Sequence, residues 1–504
     1  MAHCEPKAMS YRETERDPRG NPLLRLLLGL PQGVVLAAFL LLLVISPLPL
    51  GGNRDWAWAP MAIVIGVIAV GCVLATVRSD GWRIASGEAV PLIALIACFA
   101  LMLAIGLMQA TTISSAGAAA QYYDKAAEIL GRAHAAVASV AVDASRNTLL
   151  KCVACGLIFL TARTLFHSTR SARLLLRSLV ASGTIVAAYA ILVQSATGFC
   201  YVGSFLRKQT DYHLQDRCLM SGTFVGSNNF GAFCGMALVA AVALMFVERR
   251  RRRDFDEVEP EGGLARFILW LTGTRLILLA LAFLFLGCLM ISGSRAGFLV
   301  TAFGVAALVF LMLREQLRSR GALARALAVA VVVAVSIGLL AGGPLIRKLS
   351  TIEQSDTFDR LVIWRAAAKA IGDSPWWGWG LGGFADVYAV YQPKEIIQPN
   401  DKAHSTPIET VVELGVPGGL VAWLVVLIPW WISLRGAWRR GPRHRYLPAG
   451  AFAVSAVAIL HSVVDFSLQM PAIGFIVSAF LGMGWTQAFS RSDPALRGFT
   501  TGPQ

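Results

Sequence analysis

The most evident shortage in this 504-residue sequence is charge. Asp, Glu, Lys and Arg make up 15% of the residues and apolar residues 56%, whereas a soluble protein carries about a quarter charged residues. This composition excludes an ordinary soluble protein. Many segments reach the roughly 20 apolar residues that a helix needs to span a bilayer, so the sequence predicts an all-α polytopic membrane protein.

Other missing patterns exclude further classes. No small-residue cleavage site follows the polar start, so the first apolar helix is predicted to be a signal anchor. The glycines at 378–383 follow no strand and lie in no βαβ unit, which excludes a dinucleotide fingerprint. No clear cluster of metal ligands is visible, and the sequence predicts no metal and no other cofactor. No internal repeat stands out, although matched halves are common in transporters.

The apolar segments predict about twelve transmembrane helices. They are 32–48, 57–77, 90–108, 148–162, 178–194, 229–247, 276–292, 297–313, 326–343, 412–434, 447–462 and 472–489. With the N-terminus inside, the cytoplasmic segments hold 29 of the 45 Lys and Arg residues. This distribution obeys the positive-inside rule. The net charge of +15 therefore reflects topology, and no nucleic-acid partner is predicted.

This topology divides the chain into five regions. Residues 1–31 and 490–504 are cytoplasmic tails, 32–343 hold spans 1–9, and 412–489 hold spans 10–12. Between them, 344–411 form one large periplasmic loop with short helices. Loops longer than about 15 residues tend to be functional, so we expect the site on this outer face.

An arginine interrupts the apolar run 276–313, where Arg295 is the one charged residue. The run fits two helices with a turn at 293–295, which predicts Arg295 at the tip of an outer hairpin. The positive-inside rule disfavours a cation there. A lipid headgroup phosphate is one candidate partner for this arginine.

The large outer loop contains two features that suggest a binding surface. Residues 357–371 have helical periodicity, with Leu361, Trp364, Ala368 and Ile371 on one stripe and Arg360 and Arg365 beside it. The stretch SPWWGWGLGGF at 374–384 follows. Its tryptophans, Trp379 among them, either stack on sugar rings or belong to the interfacial aromatic belt.

Two histidines lie where helices are predicted to meet the outer surface. Thr406 and Glu409 have the spacing of a capping box, with Pro407 at the first helical position. His404 precedes this start and is a base, a hydrogen-bond donor to an anion or a plain surface residue. His461 and Asp465 are four residues apart, which predicts one shared helix face and either a functional or a structural pair.

Two cysteines share an outer loop. Cys200 and Cys218 both fall within 195–228, and a disulfide between them would close that loop if the outer compartment is oxidising. The remaining cysteines lie mostly in spans, where they act as small apolar residues.

Four motifs occur in a characteristic order along the chain. They are SGTFVGSNNFGAF with Arg217 upstream, SGSRAGFL at 292–299, RLVIW…SPWWGWGLGGF from Arg360, and HSTPIETVVELGVPGG from His404. Together they resemble the O-antigen ligase and polysaccharide polymerase superfamily, the Wzy/WaaL-like membrane proteins. Gly226 and Ser227 stand where this family usually has Asn-Pro, and Asn228 matches the family pattern.

The resemblance implies a metal-independent glycosyltransferase of the bacterial inner membrane whose active site faces the periplasm. The donor would be a glycan on undecaprenyl diphosphate, and the acceptor a sugar hydroxyl on a lipid core or on a second lipid-linked glycan. Membrane lipids surround it, and other polysaccharide-export proteins are candidate partners. One in-line displacement would invert the anomeric carbon.

The resemblance also suggests a role for each candidate residue. Arg217 and Arg295 would bind the diphosphate, because a guanidinium forks onto phosphate oxygens, with Arg360 and Arg365 as secondary cations. His404 would act as the base. The remaining candidates for substrate binding or orientation are Asn228, Trp379, His461 and Asp465.

Three alternatives remain open at this stage. A transporter of polysaccharide or lipid-linked glycan would have about as many spans, and a peptidoglycan polymerase would use an aspartate in a long outer loop. Within the superfamily, the motifs of ligases and polymerases overlap.

Overall fold

The computed structural model describes residues 32–78, 84–85, 87–111, 119–131, 138–197, 219–253, 273–315, 354–393, 400–442 and 444–490. Within these ranges there are fourteen α-helices and no β-strand. They are α1 (Gln32–Ile45), α2 (Asp55–Arg78), α3 (Ala89–Gln109), α4 (Ala120–Leu130), α5 (Val142–Leu165), α6 (Thr169–Thr197), α7 (Ser227–Arg253), α8 (Thr274–Ile291), α9 (Arg295–Leu313), α10 (Gln354–Asp373), α11 (Phe384–Tyr391), α12 (Thr406–Arg439), α13 (Tyr446–His461) and α14 (Pro471–Phe489).

The helices follow the predicted spans closely. Eleven of the twelve predicted segments coincide with a helix, and the remaining one, 326–343, lies outside the described residues. In the described part, nine helices are long and apolar enough to cross a membrane, while α1 and α13 are shorter apolar helices. This architecture is that of a polytopic membrane protein. The added helices α4, α10 and α11 fall in segments predicted as outer loops.

Two helices form the centre of the bundle. The apolar windows of α7 and α14 are 83% and 78% buried, compared with 22–50% for the other candidate spans. α7 packs against α6, α8, α9 and α13, and α14 packs against α5, α12 and α13. The lower burial of the outer helices is expected where lipid covers them.

A small second core lies at one end of the bundle, formed by α10, α11 and neighbouring segments. Its fully buried side chains include Trp379, Phe384 and Tyr388. The helix predicted over 357–371 is present as α10, and two residues of its predicted stripe, Leu361 and Ala368, are exposed. The buried face of α10 consists of Ile363, Ala366, Ala367 and Ala370.

The helix α12 is broken at Gly415, whose φ of 71° and ψ of 173° are not helical. Residues 375–380, which we call the glycine loop, supply replacement hydrogen bonds on both sides of the break. The bonds run from Trp379 N to Val412 O at 3.0 Å, from Gly380 N to Glu413 O at 3.0 Å and from Val416 N to Pro375 O at 2.8 Å. Backbone groups freed inside a membrane protein need such internal partners.

Gln109, at the end of α3, also stabilises this contact between the glycine loop and the break in α12, through hydrogen bonds of its side-chain amide. Its Nε2 donates to Trp377 O at 2.7 Å and to Glu413 O at 2.9 Å. Its Oε1 accepts from Leu381 N at 3.0 Å. The glycine loop therefore connects α3, α12 and the second core.

Replacing Gly378 with alanine is expected to destabilise the protein by about 2–5 kcal/mol. Gly378 has a φ of +66°, and a Cβ there would lie 2.3 Å from Glu413 O. Unfolding of the purified protein in detergent, followed by tryptophan fluorescence, measures the effect. Gly372→Ala is the matched control, because a Cβ at Gly372 meets nothing within 4 Å. Equal stability of the two variants would contradict this account of the junction.

Candidate active site

His404 lies in a short turn before α12 and has a left-handed backbone, with a φ of 50°. Such a φ is uncommon for a residue other than glycine and marks local strain. The neighbouring Ala403 is held from both sides, since its N–H donates to Glu409 Oε2 at 3.1 Å and its C=O accepts from Trp364 Nε1 at 2.9 Å. Lys402 Nζ also contacts Glu409 Oε1 at 3.0 Å. These bonds fix the conformation in which His404 is presented.

The predicted capping box at the start of α12 is wrong. The N-cap residue is Ser405, and Glu409 reaches back to residue 403. Thr406 bonds away from its own helix, because its N–H donates to Ser462 O at 2.8 Å and its hydroxyl to Asp465 O at 3.2 Å. The cap thus joins α12 to the connection between α13 and α14.

Asp465 faces His404 from that connection. Its Oδ1 lies 3.8 Å from His404 Nδ1 and accepts from Phe466 N at 2.8 Å. Its Oδ2 accepts from Asn228 Nδ2 at 2.8 Å. The predicted helix face shared with His461 is wrong, because α13 ends at His461. Asp465 is instead a loop residue that joins the Asn228 motif to the His404 motif.

The carboxyl group of Asp465 is 2% exposed. Burial by itself raises the pKa of Asp465, but the imidazoles of His404 and His461 and the N–H of Phe466 outweigh it. The net pKa is below its ordinary value of 3.8. Asp465 is therefore a carboxylate at neutral pH and can stabilise positive charge on the facing imidazole.

His461 is fully buried and hydrogen-bonded at both ring nitrogens. Ser467 Oγ donates to Asn229 Oδ1 at 2.9 Å, so it accepts the N–H of His461 Nδ1 at 2.7 Å. His461 Nε2 lies 3.4 Å from Ser294 Oγ, which also caps α9 by accepting from Gly297 N. With both nitrogens engaged, His461 connects the Arg295 turn to the cluster and is not placed to act as a base.

The predicted arginines differ in their surroundings. Arg295 is the first residue of α9, next to Ser294, and its side chain is exposed. Arg360 on α10 donates from Nη1 to Val464 O at 3.0 Å, beside Asp465. Arg365 is exposed on α10. Arg217 lies outside the described residues, as do Cys200 and Cys218.

Trp379 occupies a different environment from the one predicted. It is 1% exposed, and its Nε1 donates to Ala370 O at 2.7 Å. A sugar ring therefore has no open face of Trp379 to stack on. The exposed tryptophans of this stretch are Trp376, at 72%, and Trp377, at 49%.

Sequence reasoning missed several residues that hold this cluster together. The principal ones are Asn229, Trp364, Glu409 and Ser467. Asn229, Trp364 and Glu409 lie inside three of the quoted motifs, so their presence there was a usable signal. Ser467 carries no such signal, because serines are common at helix connections.

The arrangement brings five distant segments to one end of the bundle. Asn228, His404 and Arg360 contact Asp465 or its neighbour Val464, and Ser294 joins them through His461, Ser467 and Asn229. A partly exposed imidazole facing a buried carboxylate can accept a proton. Nearby guanidinium groups can bind an anion. The cluster is thus equipped for displacement of an anionic leaving group by a hydroxyl.

Comparison with known proteins gives one informative match. A family model described as O-antigen ligase, Wzy_C, matches residues 280–423. The matched range contains Arg295, Arg360 and His404, whereas Asn228 and Asp465 lie outside it. No curated protein matches the chain. The resemblance predicted from the motifs is therefore confirmed, and the chain carries an O-antigen ligase (Wzy_C) family region at residues 280–423.

Proposed function

We propose that the protein transfers a glycan from a polyprenyl diphosphate, of the undecaprenyl type, to a sugar hydroxyl. The reaction would be either O-antigen or exopolysaccharide ligation or polymerisation. The observation that carries this proposal is the convergence of His404, Asp465 and Arg360, from three separate segments, at one end of an apolar bundle. The O-antigen ligase match over residues 280–423 supports the same reaction class.

The proposed reaction is a single displacement. The acceptor oxygen forms a bond to the anomeric carbon while the bond from that carbon to the diphosphate oxygen breaks. The polyprenyl diphosphate leaves with the electron pair, and His404 takes the hydroxyl proton. One displacement inverts the anomeric carbon, and no step in it requires a metal.

In the proposed step, different side chains stabilise the positive and the negative charges that develop. His404 Nδ1 faces Asp465, which leaves Nε2 for the acceptor hydroxyl, and the carboxylate stabilises the imidazolium that forms. Arg295, together with Arg217, would bind the departing diphosphate, whose negative charge grows in the transition state. Arg360 would add a further cation, and Arg365, exposed on the same helix, is a secondary candidate.

The proposed topology places this chemistry on the periplasmic face of the bacterial inner membrane. Twelve spans with both termini in the cytoplasm put the His404 cluster outside, where the lipid-linked donor is presented. The concentration of Lys and Arg in the predicted cytoplasmic segments supports this orientation. Cysteine labelling at Val463, an exposed residue beside the cluster, would test it directly.

Replacing Arg295 with lysine is expected to lower the rate of transfer by about 10²-fold at normal protein abundance. A lysine keeps the charge but loses the planar fork that contacts two phosphate oxygens. Transfer by purified protein in proteoliposomes is the measurement. Arg435→Lys, at an exposed position near the other end of α12, is the matched control. Near-normal transfer by Arg295→Lys would exclude a bidentate phosphate contact.

A deletion strain distinguishes the two reactions and tests the function itself. Loss of chain length with single repeats still attached to the lipid core indicates a polymerase, whereas loss of all attachment with free polymer persisting indicates a ligase. Lipid-linked intermediates should accumulate outside the cytoplasm. Their accumulation on the cytoplasmic side would instead identify a transporter.

A further inference from the structure

A cavity of about 360 Å³ lies between α3, α5, α12 and α14. Most of its wall is apolar and includes Leu95, Phe99, Phe159 and Trp423. This volume is within the range of small-molecule sites, roughly 300–1,000 Å³. Neither His404 nor Asp465 lines it, whereas Glu409, which holds the turn before His404, does.

One end of this cavity is polar, and it holds as many carboxyl groups as amines. Its side chains include Lys151, Lys402, Glu409 and Glu413, two basic and two acidic. Lys402 is paired with Glu409 at 3.0 Å, and Lys151 lies over the ring of Trp58 at 5.0 Å from its centroid. A diphosphate needs an excess of cations. A wall that carries two carboxyl groups beside its two amines, and so offers both acceptors and donors, is better matched to neutral sugar hydroxyls.

The polar end adjoins the His404 cluster through α12. Lys402 and Thr406 line the cavity and flank His404 by two residues on either side. Thr406 also bonds to Asp465 O and Ser462 O, so it separates the cavity from the carboxylate. The cavity therefore reaches the chain on both sides of His404, while Arg360 of α10 contacts the cluster through Val464 O.

We propose that this cavity binds the acceptor glycolipid, with the sugar at the polar end and the hydrocarbon chain between the helices. The inference rests on the proposed transfer reaction and assigns one of its two substrates to a place. The arginine side is left for the diphosphate of the donor. The acceptor hydroxyl would lose its proton to His404 and attack the anomeric carbon on the face opposite the diphosphate, which a direct displacement requires.

Binding can be measured without any transfer reaction. The probe is dodecyl maltoside, added to the full protein in lipid nanodiscs and followed by the shift in unfolding temperature. Saturable stabilisation by dodecyl maltoside, exceeding that by dodecyl phosphate or by maltose, supports the proposal. Equal or greater stabilisation by dodecyl phosphate overturns it, because the polar end would then prefer an anion.

A pair of variants locates the bound probe. Ala422 lines the cavity, and Ala422→Phe should weaken dodecyl maltoside binding by about tenfold, because the added ring overfills the wall. Ala100, on the exposed face of α3, does not line the cavity, and Ala100→Phe should bind as the unaltered protein does. Equal weakening in both variants, or in neither, overturns the assignment.

Transfer kinetics then distinguish the acceptor from the donor. Ala422→Phe should raise the KM for the acceptor by about tenfold and leave the KM for the polyprenyl diphosphate donor unchanged. A raised KM for the donor alone would place the donor chain in the cavity and overturn the proposal. If the unaltered protein binds dodecyl maltoside but transfers no glycan, the proposed reaction fails, and that failure is distinguishable from an empty cavity.

Discussion

Replacing His404 with alanine is expected to lower the rate of glycan transfer by about 10²–10⁴-fold. His404 is the partly exposed imidazole of the cluster, and its Nδ1 is 3.8 Å from a carboxylate that is buried and ionised. Removal of the side chain leaves the acceptor hydroxyl without a base. The measurement is initial rate in proteoliposomes, with protein abundance checked by immunoblotting.

Two comparisons make this result specific to His404. His167→Ala removes an imidazole from an exposed position, where its Nδ1 lies beside Thr164 O, and should leave the rate unchanged. The fold should persist in His404→Ala, because the neighbouring turn is held by Glu409 and Trp364. A stable variant that transfers glycan at the normal rate would rule out His404 as the base.

Replacing Asp465 with asparagine should lower transfer by about 10²–10³-fold and change the dependence of stability on pH. The ionised carboxylate accepts from Asn228, and an amide in its place directs N–H groups at Asn228 or at His404. In the proposed step, the carboxylate would also stabilise the charge that His404 acquires. The lost hydrogen bond from Asn228 and the lost negative charge are both expected to slow the proposed proton transfer.

The sign of the pH effect follows from the pKa of Asp465. Because this pKa is lowered in the folded protein, the carboxylate adds stability above its ordinary value of 3.8. That stability is lost as the pH falls through the folded pKa. The unaltered protein should therefore lose more stability below pH 3.8 than Asp465→Asn does.

Unfolding curves across this pH range provide the check. Asp143→Asn is the control, because Asp143 is 95% exposed and its pairing with Arg146 at 3.5 Å is a weak surface contact. It should unfold with the same pH dependence as the unaltered protein. If Asp465→Asn also does so, the carboxylate is not held ionised by the cluster.

The helical bundle could be predicted from the sequence because lipid-facing helices are apolar over their whole length. The residues at which the helices begin and end were harder to predict. The fourth segment was predicted as 148–162, whereas α5 runs from Val142 to Leu165. Its first turn carries the exposed residues Asp143 and Arg146, and hydropathy does not separate a polar helical turn from a loop.

The candidate site was only partly predictable. The motif resemblance selected His404, Arg360 and Asn228, which the fold brings around Asp465. Composition alone misassigned Trp379, because an aromatic residue among glycines suits an open platform and a tight junction equally. Spacing misassigned His461 and Asp465 to one helix face, because the end of α13 depends on contacts with Ser294 and Ser467 that are distant in sequence or follow the helix.

The break in α12 has a consequence for the order of assembly during synthesis. The glycine loop precedes Gly415 in the chain, while Gln109 is made some 300 residues earlier, at a sequence separation of 304 from Glu413. Until these partners dock, an inserted α12 would carry unpaired backbone groups at its break, which is costly in lipid. We therefore expect α12 to insert into the membrane and to dock against the glycine loop and Gln109 in one concerted event.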